Sequence, residues 1–389
     1  MRPDPYLIPR FNFDYTLTDF STSIGSLLKG ESNLESLYAT FGYKDFFFTN
    51  YGRTALYVIL KSLHLPPKSK IGVPLYCCTV VFDSIINAGH VPRFIDINNN
   101  YTMDPEDLKD KIEDLSAVIV IHTFGRPADM DAIKKVAAGI PIVEDCSHSL
   151  LSEYKGKITG TIGDMAIFSL AKYLSAGGGG LLIVNNRSFT ESIQKEIKDL
   201  PEPSTLDEIQ HTTTAYMRAF FYHKPWFGLF GLPIGLMLEN KVDLMTKKSS
   251  KMTAGYKTYT DITSKKLGSF KNKVELQRKN SFFLLDRLRD SSLALPEEEK
   301  NTYYNYYLFP LRVSNRDKTC EYLRKNGIDT TKLFSETPKI AKNIYNYEND
   351  CPNTEAISKS IITIPNHYIL NKKELGKVAG VITSCPYVN

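Results

Sequence analysis

Tryptophan and cysteine are scarce in this sequence, which has one tryptophan and six cysteines among 389 residues. Apart from the adjacent Cys77 and Cys78, the cysteines lie far apart, without the spacing of a metal site or of a disulfide framework. The sequence therefore predicts no bound metal and a reducing, cytoplasmic location. The net charge is only +5, from 48 basic and 43 acidic residues. We expect no nucleic-acid partner, because such proteins concentrate their cations on one face.

A long uninterrupted apolar run is also missing. The first residues lack the apolar core of a signal peptide. The most apolar segment, 225–238 (PWFGLFGLPIGLML), is interrupted by prolines and glycines, and it is shorter than the about 20 apolar residues that a membrane-spanning helix needs. What remains is the composition of a globular protein, 42% hydrophobic and 23% charged, with a length typical of two or three domains.

Short apolar runs alternate with segments of helical spacing between residues 50 and 187. The runs are rich in valine, isoleucine and phenylalanine and are bounded by turn residues, which is typical of buried strands. This alternation predicts an α/β fold with a mainly parallel sheet covered by helices, and a site beyond the carboxyl ends of the strands. The predicted strands are 71–74, 91–97, 117–122, 141–144, 164–170 and 180–184, and the predicted helices are 54–63, 80–88 and 130–138.

The remainder of the chain predicts a smaller second domain. A proline-rich break at 200–204 precedes a helix, whose start is predicted from the capping-box spacing of Thr205 and Glu208. Farther on, the pattern is that of an α+β unit, with helices at 274–288, 318–326 and 373–383 and a strand at 306–313. We therefore divide the chain into a large domain (1–250, with an N-terminal arm 1–30 and an apolar insert at about 205–250) and a small C-terminal domain (251–389).

Two charged residues follow neighbouring predicted strands. Asp145 directly follows the strand at 141–144, and Lys172 follows the strand at 164–170. One interpretation is a structural ion pair. The other is a pyridoxal phosphate site, in which a lysine holds the cofactor aldehyde and a carboxylate keeps the pyridine nitrogen protonated.

A pyridoxal phosphate site also needs an anchor for the phosphate. Gly52, Arg53 and Thr54 open the first helix of the alternating region, where backbone N–H groups can bind an anion, and Ser169 could add a hydroxyl group. The alternative interpretation is an ordinary helix start.

The segment from His122 to Ile133, HTFGRPADMDAI, resembles the H-x-[YF]-G-x-P-A-D-M-D-x-I signature of the DegT/DnrJ/EryC1/StrS aminotransferases. Further similar segments follow in the family's order and cover most of the chain except about 200–270; they include 52–56, 144–145, 160–164, 169–180 and 362–365. The resemblance implies a fold-type-I transferase that uses pyridoxal 5′-phosphate.

Carried over by this resemblance, Lys172 is the catalytic lysine, and Asp145 pairs with the pyridine nitrogen. The resemblance also implies that His148 lies near the phenolic oxygen of the cofactor. It implies that Gly52, Arg53, Thr54 and Ser169 bind the phosphate group.

Two departures from the family pattern concern the neighbours of the cofactor. The aromatic residue that usually stacks on the ring is replaced by Cys78, so either Cys78 or Tyr76 faces the ring. The family's N-[YF]-R-[ML] element, which reaches the cofactor of the partner subunit, is not visible between residues 205 and 270.

The resemblance implies a homodimeric aminotransferase. It would move an amino group from an amino acid, with glutamate as the usual donor, to a nucleotide-linked keto-sugar for surface polysaccharide or glycoconjugate synthesis. The alternatives are a lipid-linked keto-sugar or another acceptor without a nucleotide, such as a cyclitol, and a binding scaffold that has lost catalysis. Segment 225–238 either packs in the dimer or active site, or inserts shallowly at a membrane surface.

Overall fold

The computed structural model describes residues 4–28, 33–239, 251–291 and 293–388. Its helices are α1 (Leu17–Ser26), α2 (Glu35–Phe41), α3 (Gly52–Ser62), α4 (Val80–Asn87), α5 (Pro105–Lys111), α6 (Met130–Val136), α7 (Thr190–Lys198), α8 (Thr205–Tyr222), α9 (Leu232–Glu239), α10 (Lys257–Leu288), α11 (Arg316–Lys325), α12 (Thr337–Ile344), α13 (Pro352–Ser360) and α14 (Lys372–Thr383). Its strands are β1 (Asp45–Thr49), β2 (Lys70–Pro74), β3 (Val91–Ile95), β4 (Leu115–Ile121), β5 (Ile142–Asp145), β6 (Glu153–Tyr154), β7 (Lys157–Ile158), β8 (Met165–Ser169), β9 (Gly180–Val184), β10 (Thr302–Tyr303), β11 (Phe309–Arg312) and β12 (Ile361–Ile364).

A seven-stranded sheet in the order β1-β9-β8-β5-β4-β2-β3 forms the centre of the molecule. Strands β3, β2, β4, β5 and β8 are parallel, while β9 is antiparallel to both of its neighbours. The predicted α/β fold and its mainly parallel sheet are therefore confirmed. Strand β1 was not predicted, because its three consecutive phenylalanines follow neither strand alternation nor helical spacing.

Helices cover both faces of this sheet. On one face, Leu56 and Ile59 of α3 and Phe82 of α4 pack in a buried cluster with Val73 and Ile119 of the strands. The other face is covered by α5 and α6 at one end and by α2, α8 and α10 at the other end. Because both faces are buried, the strands are almost continuously apolar, as the sequence pattern indicated.

A smaller body surrounds the antiparallel pair of β11 and β12, which is covered by α11 and α14. Helix α10 joins the two bodies, since Ile262 in its first half packs under the large sheet and Leu288 at its end packs in the smaller core. The predicted helix began only at residue 274, because buried polar residues obscure the apolar spacing; Lys266, for example, pairs with Asp19 at 3.0 Å. The domain boundary at residue 250 stays a prediction, and residues 240–250 lie outside the described part of the chain.

The predicted cap of α8 is wrong by one residue. Ser204, which has an extended backbone, is the N-cap, and its side chain accepts the N–H of Asp207 at 3.1 Å. Glu208 is instead buried and accepts the N–H of Thr258 at 3.0 Å, which ties α8 to the start of α10. The sequence spacing of a capping box fits Thr205 with Glu208 as well as Ser204 with Asp207. Only the contact between Glu208 and the start of α10 shows that Ser204 and Asp207 form the cap.

The apolar segment after α8 folds as a π-helical turn (Phe227–Gly231) followed by α9. Phe227 and Leu232 are buried against Leu7 of the N-terminal arm. In contrast, Trp226 and Phe230 are 38% and 47% exposed. Among the described residues, no helix combines the length and the apolar character needed to cross a membrane.

Candidate active site

The ends of β5 and β8 meet at one edge of the sheet. These strands are parallel neighbours, with Asp145 opposite Ile167, so Asp145 and Ser169 lie at the same edge. A cavity of about 780 Å³ opens there. It is lined by seven of the nine predicted site residues, namely Gly52, Arg53, Cys78, Asp145, His148, Ser169 and Lys172.

A buried pair beneath the cavity fixes the end of β5. His122 Nε2 lies 3.0 Å from the carboxylate of Glu144, which also accepts the backbone N–H groups of Gly160 and Gly163 at 2.8 and 2.6 Å. Burial alone would raise the pKa of Glu144, but these bonds hold it below its ordinary value. The motif residues His122 and Glu144 thus position Asp145 without reaching the cavity.

His122, Glu144 and Cys146 also form the one group of possible metal ligands found among the described residues. Their geometry does not favour a metal, because His122 and Glu144 already bind each other and the backbone. Burial raises the pKa of the Cys146 thiol well above its ordinary value.

The start of α3 has the features of a phosphate site. Its N-cap residue, Tyr51, makes no side-chain hydrogen bond to the helix, so the first N–H groups have no side-chain cap. Gly52 lies against Ser169, since a Cβ atom on Gly52 would be 3.4 Å from Cβ of Ser169. The Nε atom of Arg53 is buried and has no hydrogen-bond partner among the described residues. These features fit a bound phosphate group.

Thr54 was predicted in the same cradle, but it does not line the cavity. Its hydroxyl group is fully buried and donates to Oδ1 of Asn50 at 2.7 Å. Thr54 therefore stabilises the loop before α3 rather than facing the open space.

His148 is a neutral hydrogen-bond donor at the cavity wall. Burial, together with the positive charge of Lys172, lowers its pKa well below the ordinary value. The N–H of Phe124 points to Nδ1 of His148 at 3.3 Å, so the single ring proton resides on Nε2. This donor fits the phenolic oxygen that the family resemblance places there.

Of the two candidates for the ring-facing position, only Cys78 lines the cavity. Tyr76 is fully buried behind the wall, and its hydroxyl group donates to the carbonyl of Leu333 at 2.8 Å. The tertiary structure therefore favours Cys78 over Tyr76 at this position.

Phe334 was not predicted from the sequence, yet it lines the same cavity. Its ring is nearly parallel to that of His148, at an angle of 4° and a centroid distance of 6.0 Å. Its backbone has φ +58°, which is unusual for a bulky residue and is often found at functional sites. No sequence pattern indicated this position, because Phe334 follows α11 and reaches the cavity only through the packing of the two bodies.

Comparisons with known proteins agree with this geometry. The sequence model of the DegT/DnrJ/EryC1/StrS aminotransferase family matches residues 29–215 and 244–383. The chain is 20% identical to UDP-N-acetyl-3-dehydro-α-D-glucosamine 3-aminotransferase of Acidithiobacillus ferrooxidans, over 85% of this chain and 81% of that protein. It is 22% identical to dTDP-3-amino-3,6-dideoxy-α-D-galactopyranose transaminase of Aneurinibacillus thermoaerophilus, over 86% and 84% of the two chains. The solved structure of Spr1654 from Streptococcus pneumoniae in its PLP form is similar with a TM-score of 0.76 at 19% identity, over 96% of this chain and 97% of that chain.

The fold and the family match together define an aminotransferase of fold type I. The match covers most of the sequence, and the chain belongs to the DegT/DnrJ/EryC1/StrS aminotransferase family. The resemblance carried by residues 122–133 is thereby confirmed. Aminotransferases of this family depend on pyridoxal phosphate, and the cavity residues described above fit that cofactor.

Proposed function

We propose that this aminotransferase uses pyridoxal phosphate bound at Lys172 to transfer an amino group from glutamate to a nucleotide-linked keto-sugar. The observation that carries the proposal is the convergence of Lys172, Asp145 and an open helix start in one cavity. When bound, the cofactor supplies an aldehyde carbon for the donor amine and a ring that withdraws electrons from the reacting carbon.

The two catalytic residues have distinct tasks. Lys172 would hold the cofactor through its ε-amine and would serve as the base that takes the proton from the α-carbon of the donor. The Asp145 carboxylate would hold the pyridine nitrogen and keep it protonated. Asp145 is 5% exposed and accepts the N–H of Ser147 at 2.9 Å, so its orientation is fixed before the cofactor arrives.

The other cavity residues orient the cofactor. Gly52, Arg53 and Ser169 would hold its phosphate group, and Nε2 of His148 would donate to its phenolic oxygen. These roles leave the side of the cavity bounded by Cys78 and Phe334 for the substrates.

The acceptor is proposed from the relatives. Both relatives named above carry a nucleotide-linked amino sugar or keto-sugar in their names. We infer the same class of acceptor for this chain, with its product used in polysaccharide or glycoconjugate synthesis. We further propose a homodimer, as the family resemblance implies, and a cytoplasmic location, since all six cysteines are free thiols.

A lipid-linked keto-sugar is the second candidate acceptor. It is favoured by the exposed, stacked rings of Phe220, Trp226 and Phe230, whose neighbouring centroids are 5.7 and 6.0 Å apart. Such rings could contact a membrane surface, although a dimer interface would cover them equally well.

The test is a visible absorption spectrum of the purified protein with added pyridoxal phosphate, before and after glutamate, together with Lys172→Ala. We expect a cofactor band that glutamate bleaches in the wild type. In Lys172→Ala the lysine-bound band is lost, and turnover falls by at least about 100-fold, since a positioned base contributes that much.

Lys155→Ala is the matched control, because Lys155 is exposed and pairs with Asp131 on the surface. A wild-type protein without the band, or a Lys172→Ala variant with wild-type turnover, would refute the proposal. Bleaching by another amino acid but not by glutamate would refute only the donor.

A further inference from the structure

The loop 333–337 crosses from the smaller body to the large one. Just before this loop, Thr331 pairs with Thr363 of β12 in an isolated bridge. Just after it, α12 packs on the large body, where Ala341 joins the buried cluster that covers one face of the central sheet. Phe334, which lines the cofactor cavity, therefore lies where the chain passes between the two bodies.

Two hydrogen bonds tie this loop to the residues that follow β2. The hydroxyl group of Tyr76 donates to the carbonyl of Leu333 at 2.8 Å, and the hydroxyl group of Thr337 donates to the carbonyl of Cys77 at 2.9 Å. Both donor side chains are buried, and a hydrogen bond is electrostatically stronger away from water. Burial also raises the pKa of Tyr76 well above its ordinary value, so its hydroxyl group remains a donor. The two bonds form a clasp, with one bond on each side of Phe334.

The backbone of Phe334 needs a restraint of this kind. Its φ of +58° lies in the left-handed region, which is an outlier for a bulky residue. A strained conformation persists only when the surrounding structure holds it. The clasp supplies this restraint, because its two bonds fix the chain directly before Phe334 and three residues after it. Without the clasp, the loop can relax and carry the ring away from the cavity wall.

The ring of Tyr76 also contacts the aromatic residues beside His148. It meets Phe334 edge to face at a centroid distance of 5.5 Å, and it meets Phe124 in the same way at 6.1 Å. The rings of Phe334 and Phe124 are nearly parallel to the imidazole ring of His148, at angles of 4° and 16°. Tyr76 thus supports this wall from behind through both its hydroxyl group and its ring.

We propose that Tyr76 and Thr337 are positioning residues, which hold Phe334 in its left-handed conformation and thereby fix the acceptor side of the cofactor cavity. The inference rests on the proposed function where it names the acceptor, because the side bounded by Cys78 and Phe334 is the one left for the substrates. Tyr76 and Thr337 act through Phe334 and do not themselves touch the substrate.

Cys78 provides a readout of the wall that does not depend on activity. It lines the cavity together with Phe334, and it is partly exposed, whereas the other five cysteines are buried. The rate at which iodoacetamide alkylates each cysteine of the holoenzyme is measured by mass spectrometry for the wild type, Tyr76→Phe and Thr337→Val. Each variant removes one bond of the clasp and keeps the bulk of the side chain. We expect alkylation of Cys78 to become about fivefold faster in each, since one lost hydrogen bond favours the open wall by about that factor.

Two control variants separate this effect from a general loosening of the fold. Thr337→Ser restores the hydroxyl group, so it should return alkylation of Cys78 to the wild-type rate. Thr319→Val removes the same kind of bond elsewhere, because the buried Thr319 donates its hydroxyl group to the carbonyl of Tyr387 at 3.0 Å within the smaller body. We expect Thr319→Val to leave alkylation of Cys78 unchanged.

The second experiment compares the two half-reactions. The KM for a UDP-linked keto-sugar is expected to rise about threefold to fivefold in Tyr76→Phe and Thr337→Val, and to return to the wild-type value in Thr337→Ser. The rate with glutamate should stay within about twofold of wild type, because the sheet wall is unchanged. Reduced stability alone would lower the amount of active enzyme and would not raise the KM.

The results distinguish the positioning role from the proposed function. Unchanged alkylation of Cys78 in either clasp variant would remove that residue from the role, and an equal increase at Cys78 and at the buried cysteines would overturn the role altogether. Faster alkylation of Cys78 alone with an unchanged acceptor KM would show that the clasp does not serve the acceptor. If Cys78 alone reacts faster while the wild type aminates no keto-sugar, the positioning role stands and the proposed acceptor class is wrong.

Discussion

The two walls of the cofactor cavity are built in different ways. One wall consists of the ends of β5 and β8 and the start of α3, and it carries Asp145, Ser169 and Gly52. The opposite wall consists of Cys78 after β2 and Phe334 of the smaller body. The first wall is continuous with the central sheet, whereas the second exists only where separate parts of the chain pack together.

This difference indicates a division of labour. The sheet wall is rigid, because buried hydrogen bonds such as that between His122 and Glu144 fix the strand ends, and rigidity suits the chemistry that family members share. The opposite wall can vary without disturbing the sheet. It is therefore where we expect substrate choice to reside.

The largest effect is expected at the sheet wall. Asp145→Asn keeps the shape and can still accept the N–H of Ser147, but it cannot hold a protonated pyridine nitrogen. We expect kcat for the glutamate half-reaction to fall by about 100- to 1,000-fold, as when one preorganised electrostatic partner is removed. Stopped-flow bleaching of the cofactor band measures this rate. Asp131→Asn on the surface is the control, and a loss of less than threefold in Asp145→Asn would remove Asp145 from the mechanism.

A smaller effect is expected where the N-terminal arm meets the smaller body. His367 donates from Nε2 to the carbonyl of Pro9 at 3.0 Å. Burial lowers the pKa of His367 to about 4, so below pH 6.5 the unfolded chain binds a proton that the folded chain does not. Stability contributed by this group is thus complete above pH 6.5 and falls as the pH approaches 4.

His367→Gln tests this contact, because the amide can still donate to Pro9 while it does not titrate. Between pH 7 and pH 4.5 the wild type should lose on the order of 2 kcal/mol more unfolding free energy than the variant. Urea unfolding at the two pH values measures the difference. His64→Gln serves as the control, and equal losses in wild type and His367→Gln would show that His367 does not resist protonation.

The smallest effect is expected at Phe334 in the wall of the cofactor cavity. Phe334→Leu keeps a large apolar side chain but removes the ring contacts with His148 and Tyr76, which are worth about 1 kcal/mol together. The KM for the acceptor should rise roughly threefold to tenfold, with the glutamate half-reaction little changed. Phe283→Leu, distant from the cavity, is the control. A slower glutamate half-reaction with unchanged acceptor KM would place Phe334 on the cofactor side and blur the distinction between the walls.

The sheet wall is the part that the sequence predicted well. Asp145 and Lys172 each follow an apolar run with clear boundaries, and parallel neighbouring strands bring such ends to one edge. Two predicted site residues do not line the cavity, and in each case a single side-chain contact explains why. Thr54 lies at the correct helix start, but its hydroxyl is taken by Asn50, and Tyr76 is turned inward to the Leu333 carbonyl. Side-chain direction within a loop depends on neighbours that the local pattern does not specify.

By itself, the sequence determined the α/β class, six of the seven strands of the central sheet and the family, because apolar periodicity and short motifs depend on residues close together in the chain. Only the tertiary structure decided which side chains face the cavity and that Phe334 lines it. Gly52 and Phe334 are about 280 positions apart in the sequence, so no local pattern relates them. Their proximity is set by the packing of the arm, the sheet and the smaller body around α10, where burial of apolar surface outweighs any local preference.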